Sequence, residues 1–407
     1  MARPSASPLR ILLLEGIHPT AKDLLEREGF QVRLESHSPG EADLNAWLKE
    51  ADAVGIRSKT QLTKNILEGN RHLWTIGAFC IGTDQVDSKT ANQLGIPVFN
   101  APYSNTRSVA ELVIAEIIAL SRQLGDRNSK AHLGEWVKSA EGSREVRGKT
   151  VGLVGYGHIG SQVSVLAEAF GLRVLYFDVI KKLPLGNSQV CRTLGELLQQ
   201  SDFVSLHVPD TEQTRDMIGA QELAQMKKGA CLINASRGTV VNIPALASAI
   251  KSKQIGGAAV DVFPNEPASN KEKFSSELQG LPNVILTPHI GGSTLEAQEA
   301  IGAEVAASLT GFLKSGSTRG AVNFPNVDLP ILHHDCHRII NVHRNVPGVL
   351  SDINGIVSAV GANIQAQFLS TDAQIGYLVM DMEKGEAGEV SSRIGKLTTS
   401  IKTRVAF

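Results

Sequence analysis

Three polar side chains stand where a hydroxyl could be oxidised or a carbonyl reduced: Arg237 in INASRG, Glu266 in DVFPNEP and His289 in ILTPHIGG. Each follows a short apolar run, ACLIN, GAAVDVF or VILT, of the kind that forms a buried parallel strand. Open α/β sheets bind ligands beyond the carboxyl ends of their strands, so three separate loops can converge there. Histidine titrates in the range needed to exchange an alcohol proton while hydride moves. A carboxylate beside it would raise its pKa and hold the ring, which suits Glu266. A guanidinium fork can bind a substrate carboxylate and polarise its carbonyl, which suits Arg237. Taken singly, the three also read as a surface ion pair, a solvated acid and a loop histidine; their joint placement points to chemistry.

Hydride chemistry needs a carrier, and the chain offers a place for one. Gly155, Gly157 and Gly160 directly follow the apolar run VGLV and open a helix near His158. The first glycine permits a tight turn, the second lets backbone approach a pyrophosphate, and the third lets helix pack on strand. The next apolar run, RVLYF, ends at Asp178, whose carboxylate suits ribose hydroxyls and repels a 2′-phosphate, favouring NAD over NADP. The bland alternative is an ordinary strand-turn-helix with a surface aspartate. Earlier, Arg57, Ser58 and Lys59 follow the run AVGI, and two cations with a hydroxyl suit a phosphate ester. Without further context the same residues read as a solvated basic turn. Asn105 and Arg107 are further candidate donors near substrate or cofactor.

The elements that must position these residues alternate strand with helix. A first series runs from Leu9 to Asn100 and a second, with six strands, from Val151 to Thr287. Ser108 with Glu111, and Ser293 with Glu296, have capping-box spacing, so two capped helices are expected to cross between domains, with the cleft holding the chemistry. VNFPNVDLP reads as an extended linker, behind which HRIINVH, PGVLSDINGIVSAVG, NIQAQFLS, QIGYLVMDM, GEVSSRIGKL and IKTRVAF spell βαββαβ, a ferredoxin-like sandwich. The expected division is 1–105 with 293–325 for substrate, 106–292 for the nucleotide, and 331–407 for a regulatory tail.

Composition narrows the function classes. The chain has 407 residues, enough for two or three domains, and 40 basic against 41 acidic side chains leave a net charge of -1. That balance lacks the signature of a nucleic-acid or polybasic membrane binder, so a small-molecule partner is expected. Four scattered cysteines without a CxxC pair suggest neither a zinc ribbon nor a redox pair. The start is too short in apolar residues for a signal peptide and no stretch is long enough to span a membrane, which sets a cytoplasmic expectation. His333, His334, Cys336 and His337 raise a zinc reading; the linker setting favours solvated histidines, and no metal is expected.

The strings GYGHIG, NASRGTVV, DVFPNEP, TPHIGGST and SVAELVIAE resemble the D-isomer-specific 2-hydroxyacid dehydrogenase family. IRSKT, FCIGTDQVD, APYSNTRSVAELV and the tail are similar, more closely, to its bacterial members that carry a C-terminal ACT domain. The resemblance covers nearly the whole chain. It implies an α/β fold, a flavodoxin-like substrate domain plus a Rossmann NAD domain, with a ferredoxin-like ACT tail. It also implies Arg237, Glu266 and His289 as the catalytic set, NAD as cofactor, and reversible oxidation of 3-phospho-D-glycerate to 3-phosphohydroxypyruvate, the first committed step of serine biosynthesis. A homotetramer is implied, as is reduction of 2-oxoglutarate by some members. Expected cofactor contacts are Gly155, Tyr156, Gly157, His158, Ile159, Gly160, Asp178, Asn105, Ser236, Asp261 and Gly292; expected substrate contacts are Arg57, Ser58, Lys59, Arg237 and His289. The resemblance further suggests that Trp136 docks on a neighbouring subunit, with Lys138 near that subunit's site.

In the tail, His343, Asn345 and Asn363 match positions that bind L-serine in the family, near a helix starting at Pro347-Gly348 whose free N–H groups suit a carboxylate. A purely structural dimerisation role is the alternative. Two departures stand out: Asn242 replaces a usual aspartate, expected to remove a charge near Arg237, and the histidine-rich 333–337 stretch replaces a more arginine-rich one. Competing readings are an idle NAD-sensing regulator like the C-terminal binding protein corepressors, and a glycerate, formate or lactate dehydrogenase; the phosphate-suited loop and the tail argue against both.

Overall fold

The structure is a computed structural model that describes residues 8–267, 271–328, 330, 336–383 and 385–406. The chain packs as two compact units, Met1–Ser104 with Gln298–Phe407, and Asn105–Ala297.

In the first unit, β1 (Arg10–Leu13), α1 (Pro19–Arg27), β2 (Gln31–Leu34), α2 (Glu41–Leu48), β3 (Ala53–Ile56), α3 (Lys64–Gly69), β4 (Thr75–Ala78), α4 (Ser88–Gln93) and β5 (Val98–Phe99) alternate. The strands form a parallel sheet in the order β2-β1-β3-β4-β5, the flavodoxin-like winding. β3 and β4 are buried at every position, as strands covered on both faces must be.

The second unit opens with α5 (Thr106–Arg122) and α6 (Leu124–His132). It continues through β6 (Thr150–Val154), α7 (His158–Ala169), β7 (Arg173–Phe177), β8 (Gln189–Val190), α8 (Leu194–Gln200) and β9 (Phe203–Leu206). It closes with α9 (Ala220–Gln225), β10 (Ala230–Asn234), α10 (Ile243–Lys251), β11 (Ile255–Val260), β12 (Val284–Leu286) and the start of α11 (Leu295–Ser315). Its parallel sheet runs β12-β11-β10-β9-β6-β7-β8: the six expected strands, with a two-residue edge strand added.

The tail forms β13 (Cys336–Arg344), α12 (Val349–Val360), β14 (Ile364–Thr371), β15 (Ile375–Glu383), α13 (Ala387–Gly395) and β16 (Ser400–Ala406), an antiparallel sheet ordered β14-β15-β13-β16. Alternate residues of its central strands serve two cores. Ile339, Leu378 and Met380 pack with Val349, Ile353, Val357, Val390 and Ile394 of the two helices. Ile340, Val342, Tyr377 and Val379 face the other way and join Ile11, Phe99, Phe312, Leu313, Phe324 and Val327 of the first unit.

That shared core corrects the linker reading. Asn323 accepts from the Val98 N–H at 2.8 Å and donates to the carbonyls of Ser88 and Ile96, while Thr318 bonds to both Pro325 and Val327. The Pro/Asn-rich segment read as an extended linker is thus fastened to β5. Polar groups also close the junction: Arg338, 1% exposed, forks onto Asp381 at 2.7 Å twice and donates to the Ser315 carbonyl, Tyr377 donates to Gly316, and Arg404 donates to Phe312 and Leu313.

Neither expected capping box forms. α5 begins two residues before Ser108, whose hydroxyl meets that of Thr294 at 2.8 Å, while Glu111 pairs with Arg107. α11 is capped by Thr294, which accepts from the Ala297 N–H, one position later than Ser293.

Candidate active site

Arg237, Glu266 and His289 lie beyond the carboxyl ends of β10, β11 and β12, three neighbours in the sheet. His289 Nδ1 and Glu266 Oε2 are 2.8 Å apart. The hydrogen bond that His289 donates to the Glu266 carboxylate holds the imidazole pKa above its usual value, outweighing burial. Burial alone would raise the Glu266 carboxyl, but His289, the Phe263 N–H and the charge of Arg237 together bring it below the ordinary value. The pair is half-exposed and so can meet a ligand. Arg237 is half-buried and donates to the Ser236 carbonyl.

The loops are held from beneath. His289 has a φ of 54°, a strained conformation for a non-glycine residue, with its N–H on the carbonyl of Asp261. The Asp261 carboxylate, 1% exposed, accepts from Thr287 Oγ1 at 2.6 Å and from the N–H groups of Ile290 and Gly291 at 2.8 Å each. Expected beside the cofactor, Asp261 has both oxygens engaged in building the turn that carries His289. Asn234 does the same for Arg237: its amide oxygen accepts from the N–H and hydroxyl of Ser236, and its NH₂ donates to the Arg237 carbonyl. Sequence reading passed over Asn234, although an asparagine two residues before a serine at a strand end is an Asx-turn signal. Asn242 is the cap of α10, accepting from Ala245 and donating to Asp216, where a second carboxylate would face a like charge. Its amide therefore has a local reason unrelated to Arg237.

The turn from β6 into α7 has the shape a dinucleotide requires. A methyl on Gly155, whose φ is 91°, would stand 2.4 Å from the His207 carbonyl, and one on Gly160 would stand 2.3 Å from that of Gly155. Gly157 faces open space. Tyr156, His158 and Ile159 complete the turn, and Asp178 anchors it by accepting from the N–H groups of Tyr156 and Ile180 at 2.8 and 2.9 Å. A glycine open in front of a helix N-terminus fits a pyrophosphate, with ribose within reach of Asp178. His207, half-buried, is pushed by desolvation down to about 4 and stays neutral. At the start of α5 the Asn105 amide oxygen is buried with no partner among the described residues, and a methyl on Gly292 would stand 2.4 Å from the Asn105 amide nitrogen. Arg107 is exposed and paired with Glu111.

In the first unit Arg57, Ser58 and Lys59 follow β3 at its carboxyl end, Arg57 half-buried and the other two exposed. Trp136, 88% exposed, stands beside Leu133 and Val137, also exposed, with Lys138 next in sequence. In the tail, His343 is buried with Nδ1 on Asn341, and Asn345 donates to the Asp372 carbonyl. Asn363 is exposed and follows the far end of α12. A helix of 12 residues is about 18 Å long, so within one chain Asn363 does not join the other two. Cys336 is buried against Gln365; His333 and His334 lie outside the described residues. Among the described residues no helix is long and apolar enough to cross a membrane.

An NAD turn, a histidine-carboxylate pair and an arginine at the ends of neighbouring strands define a nicotinamide-dependent dehydrogenase of hydroxy acids. Residues 114–291 match the D-isomer specific 2-hydroxyacid dehydrogenase NAD binding domain, and residues 339–402 match the AHAS small subunit-like ACT domain. The chain belongs to the D-isomer specific 2-hydroxyacid dehydrogenase family. It is 52% identical to a D-3-phosphoglycerate dehydrogenase of Dictyostelium discoideum, over 98% of this chain and 97% of that one. It is 51% identical to one of Escherichia coli strain K12, over 93% and 92%. Among solved structures, a D-lactate dehydrogenase of Aquifex aeolicus, complexed with NAD and lactic acid, aligns with a TM-score of 0.69 at 29% identity, over 78% of this chain and all of that one.

Proposed function

We infer that this chain oxidises 3-phospho-D-glycerate to 3-phosphohydroxypyruvate with NAD, reversibly, the first step of L-serine biosynthesis. The observation that carries the reading is the 2.8 Å pair of His289 and Glu266 on an NAD-binding sheet, in a chain about half identical along its length to enzymes of that name. Bound NAD supplies the acceptor for the hydride. His289, held through Nδ1 by Glu266, takes the hydroxyl proton on its other ring nitrogen during oxidation and returns it to the carbonyl oxygen during reduction. Arg237 grips the substrate carboxylate; Arg57, Ser58 and Lys59 take its phosphate. Gly155, Gly157, Gly160 and the start of α7 hold the cofactor pyrophosphate, Asp178 its ribose, and Tyr156, His158, Ile159, Asn105, Ser236 and Gly292 line the cofactor side, while Asp261 holds the turn that carries His289. NADH oxidation measured in parallel with phosphohydroxypyruvate, hydroxypyruvate, glyoxylate and 2-oxoglutarate tests this. The phosphorylated substrate is expected to lead by a wide margin, with 2-oxoglutarate a slower second; a lead for any unphosphorylated acid overturns the assignment.

The tail supports feedback control by L-serine. Because one chain separates Asn363 from His343 and Asn345, we assign the effector to a site completed by two copies, within a homotetramer whose other contact uses exposed Trp136. Inhibition by L-serine, with glycine and D-serine as controls, should disappear in Asn363→Ala. An enzyme indifferent to millimolar L-serine refutes the regulatory reading, and a monomer by sedimentation refutes the shared site.

A further inference from the structure

Glu15 follows β1 at its carboxyl end and lies under the turn that follows β3. Its carboxylate accepts from three backbone N–H groups of that turn: Arg57 at 3.1 Å and Thr60 at 2.8 Å on Oε1, and Lys59 at 3.0 Å on Oε2. The residue is 9% exposed and has a φ of 64°, a left-handed conformation that side chains disfavour. Its backbone is pinned there, Glu15 N–H donating to His37 and Gly16 N–H to Glu35. The turn itself is tied on two more sides, by the Ser38 and Thr60 hydroxyls at 2.8 Å and by Gln85 donating to the Arg57 carbonyl at 2.6 Å.

Convergent backbone N–H groups make a concavity suited to an anion. Here the protein's own carboxylate fills it. A substrate phosphate therefore cannot be held by these N–H groups and must be met by the side chains of the turn. Among the described residues those of Arg57, Ser58 and Lys59 have no hydrogen-bonding or ion-pair partner, so their donors remain available. A backbone outlier at a ligand-facing strand end, held in place by several bonds, is where a protein stores strain to fix a geometry.

We propose that Glu15 is a positioning residue of the phosphate site, holding residues 57–60 in the conformation from which Arg57, Ser58 and Lys59 select phosphorylated over unphosphorylated substrate. This rests on the assignment of that turn to phosphate. Replacing the carboxylate in Glu15→Gln leaves an NH₂ where one acceptor stood, facing N–H groups it cannot accept from. Glu15→Asp keeps the charge but is one methylene short of spanning all three.

The experiment compares kcat/KM for phosphohydroxypyruvate and hydroxypyruvate in the full-length enzyme, in Glu15→Gln, Glu15→Asp, Arg57→Ala and the Glu15→Gln/Arg57→Ala double variant, after thermal unfolding and NADH binding establish folding. The selectivity ratio should fall about tenfold in Glu15→Gln, through KM for the phosphorylated substrate, as expected when charged contacts lose their alignment. Glu15→Asp should lie between. In the Arg57→Ala background the Glu15 substitution should add little, since both act through one contact. If Arg57→Ala leaves the ratio intact, the phosphate assignment itself fails. If Arg57→Ala lowers the ratio and the Glu15 variants depress both substrates equally, the turn is phosphate-binding but Glu15 is only structural, and the proposal is overturned. Should Glu15→Gln not fold, Glu15→Asp decides between the same outcomes.

Discussion

Two turns in this chain gather backbone N–H groups at the carboxyl end of a parallel strand, and they use them in opposite ways. After β6 the glycines leave the space before the helix open, so backbone itself can meet an anion. After β3 the equivalent N–H groups are closed by Glu15, which leaves only the side chains of that turn to meet an anion. The first arrangement depends on shape, because a Cβ added at Gly155 or Gly160 collides with a carbonyl. The second depends on charge, which salt screens and a single substitution removes. A cofactor common to many enzymes suits the first; a substrate that must be told from close relatives suits the second.

The strongest test of the catalytic half of this contrast is His289→Ala, which should lower turnover by roughly 10²-fold or more in single-turnover assays while NADH binding persists. Near-normal turnover would remove the histidine from the chemistry. Gly160→Ala places a methyl 2.3 Å from the Gly155 carbonyl and should weaken NADH about tenfold or more by fluorescence titration, at any ionic strength. Arg57→Ala should raise KM for phosphohydroxypyruvate by about tenfold and flatten its salt dependence, whereas salt should barely affect the Gly160 variant. If both sites respond to salt alike, the division into shape and charge is wrong.

The smallest effect expected is a displacement of a pH profile. Glu266 holds the His289 pKa up, so reduction, which needs the protonated ring, is supported at low pH and lost as pH rises through that elevated pKa. In Glu266→Gln the same loss should come at lower pH. An unmoved midpoint in kcat/KM against pH would break the link between the two residues.

Legibility in the sequence followed the same division. Parallel strands covered on both faces are apolar runs, and a polar residue directly after one marks a ligand-facing end, so Arg237, Glu266, His289 and the glycine turn could all be placed from local pattern. What stood out of reach mostly depended on partners distant in sequence, or on a nearer competitor. Ser108 and Glu111 have capping-box spacing, yet Ser108 finds Thr294 and Glu111 finds Arg107. Asp261 looks like any acid in DVF until the loop 26 to 30 residues later wraps around it. Glu15 was visible as a charge at the end of RILLL, but its three donors come from 42 to 45 residues further on. The short edge strand β8 and helix α6 offered too few apolar positions to announce themselves.

The fastening of the tail to the first unit has a practical consequence for anyone wishing to re-engineer it. Cutting the chain after Asn326 would bare Ile11, Phe99 and Phe312 to water and strip the carbonyls of Phe312, Leu313, Ser315 and Gly316 of the groups that meet them. Such a fragment is a recipe for aggregation rather than an unregulated enzyme. A replacement tail would have to arrive as a graft, free to change on α12 and β14 but with Ile340, Val342, Tyr377, Val379, Arg338 and Arg404 transplanted intact, because those side chains are the rootstock.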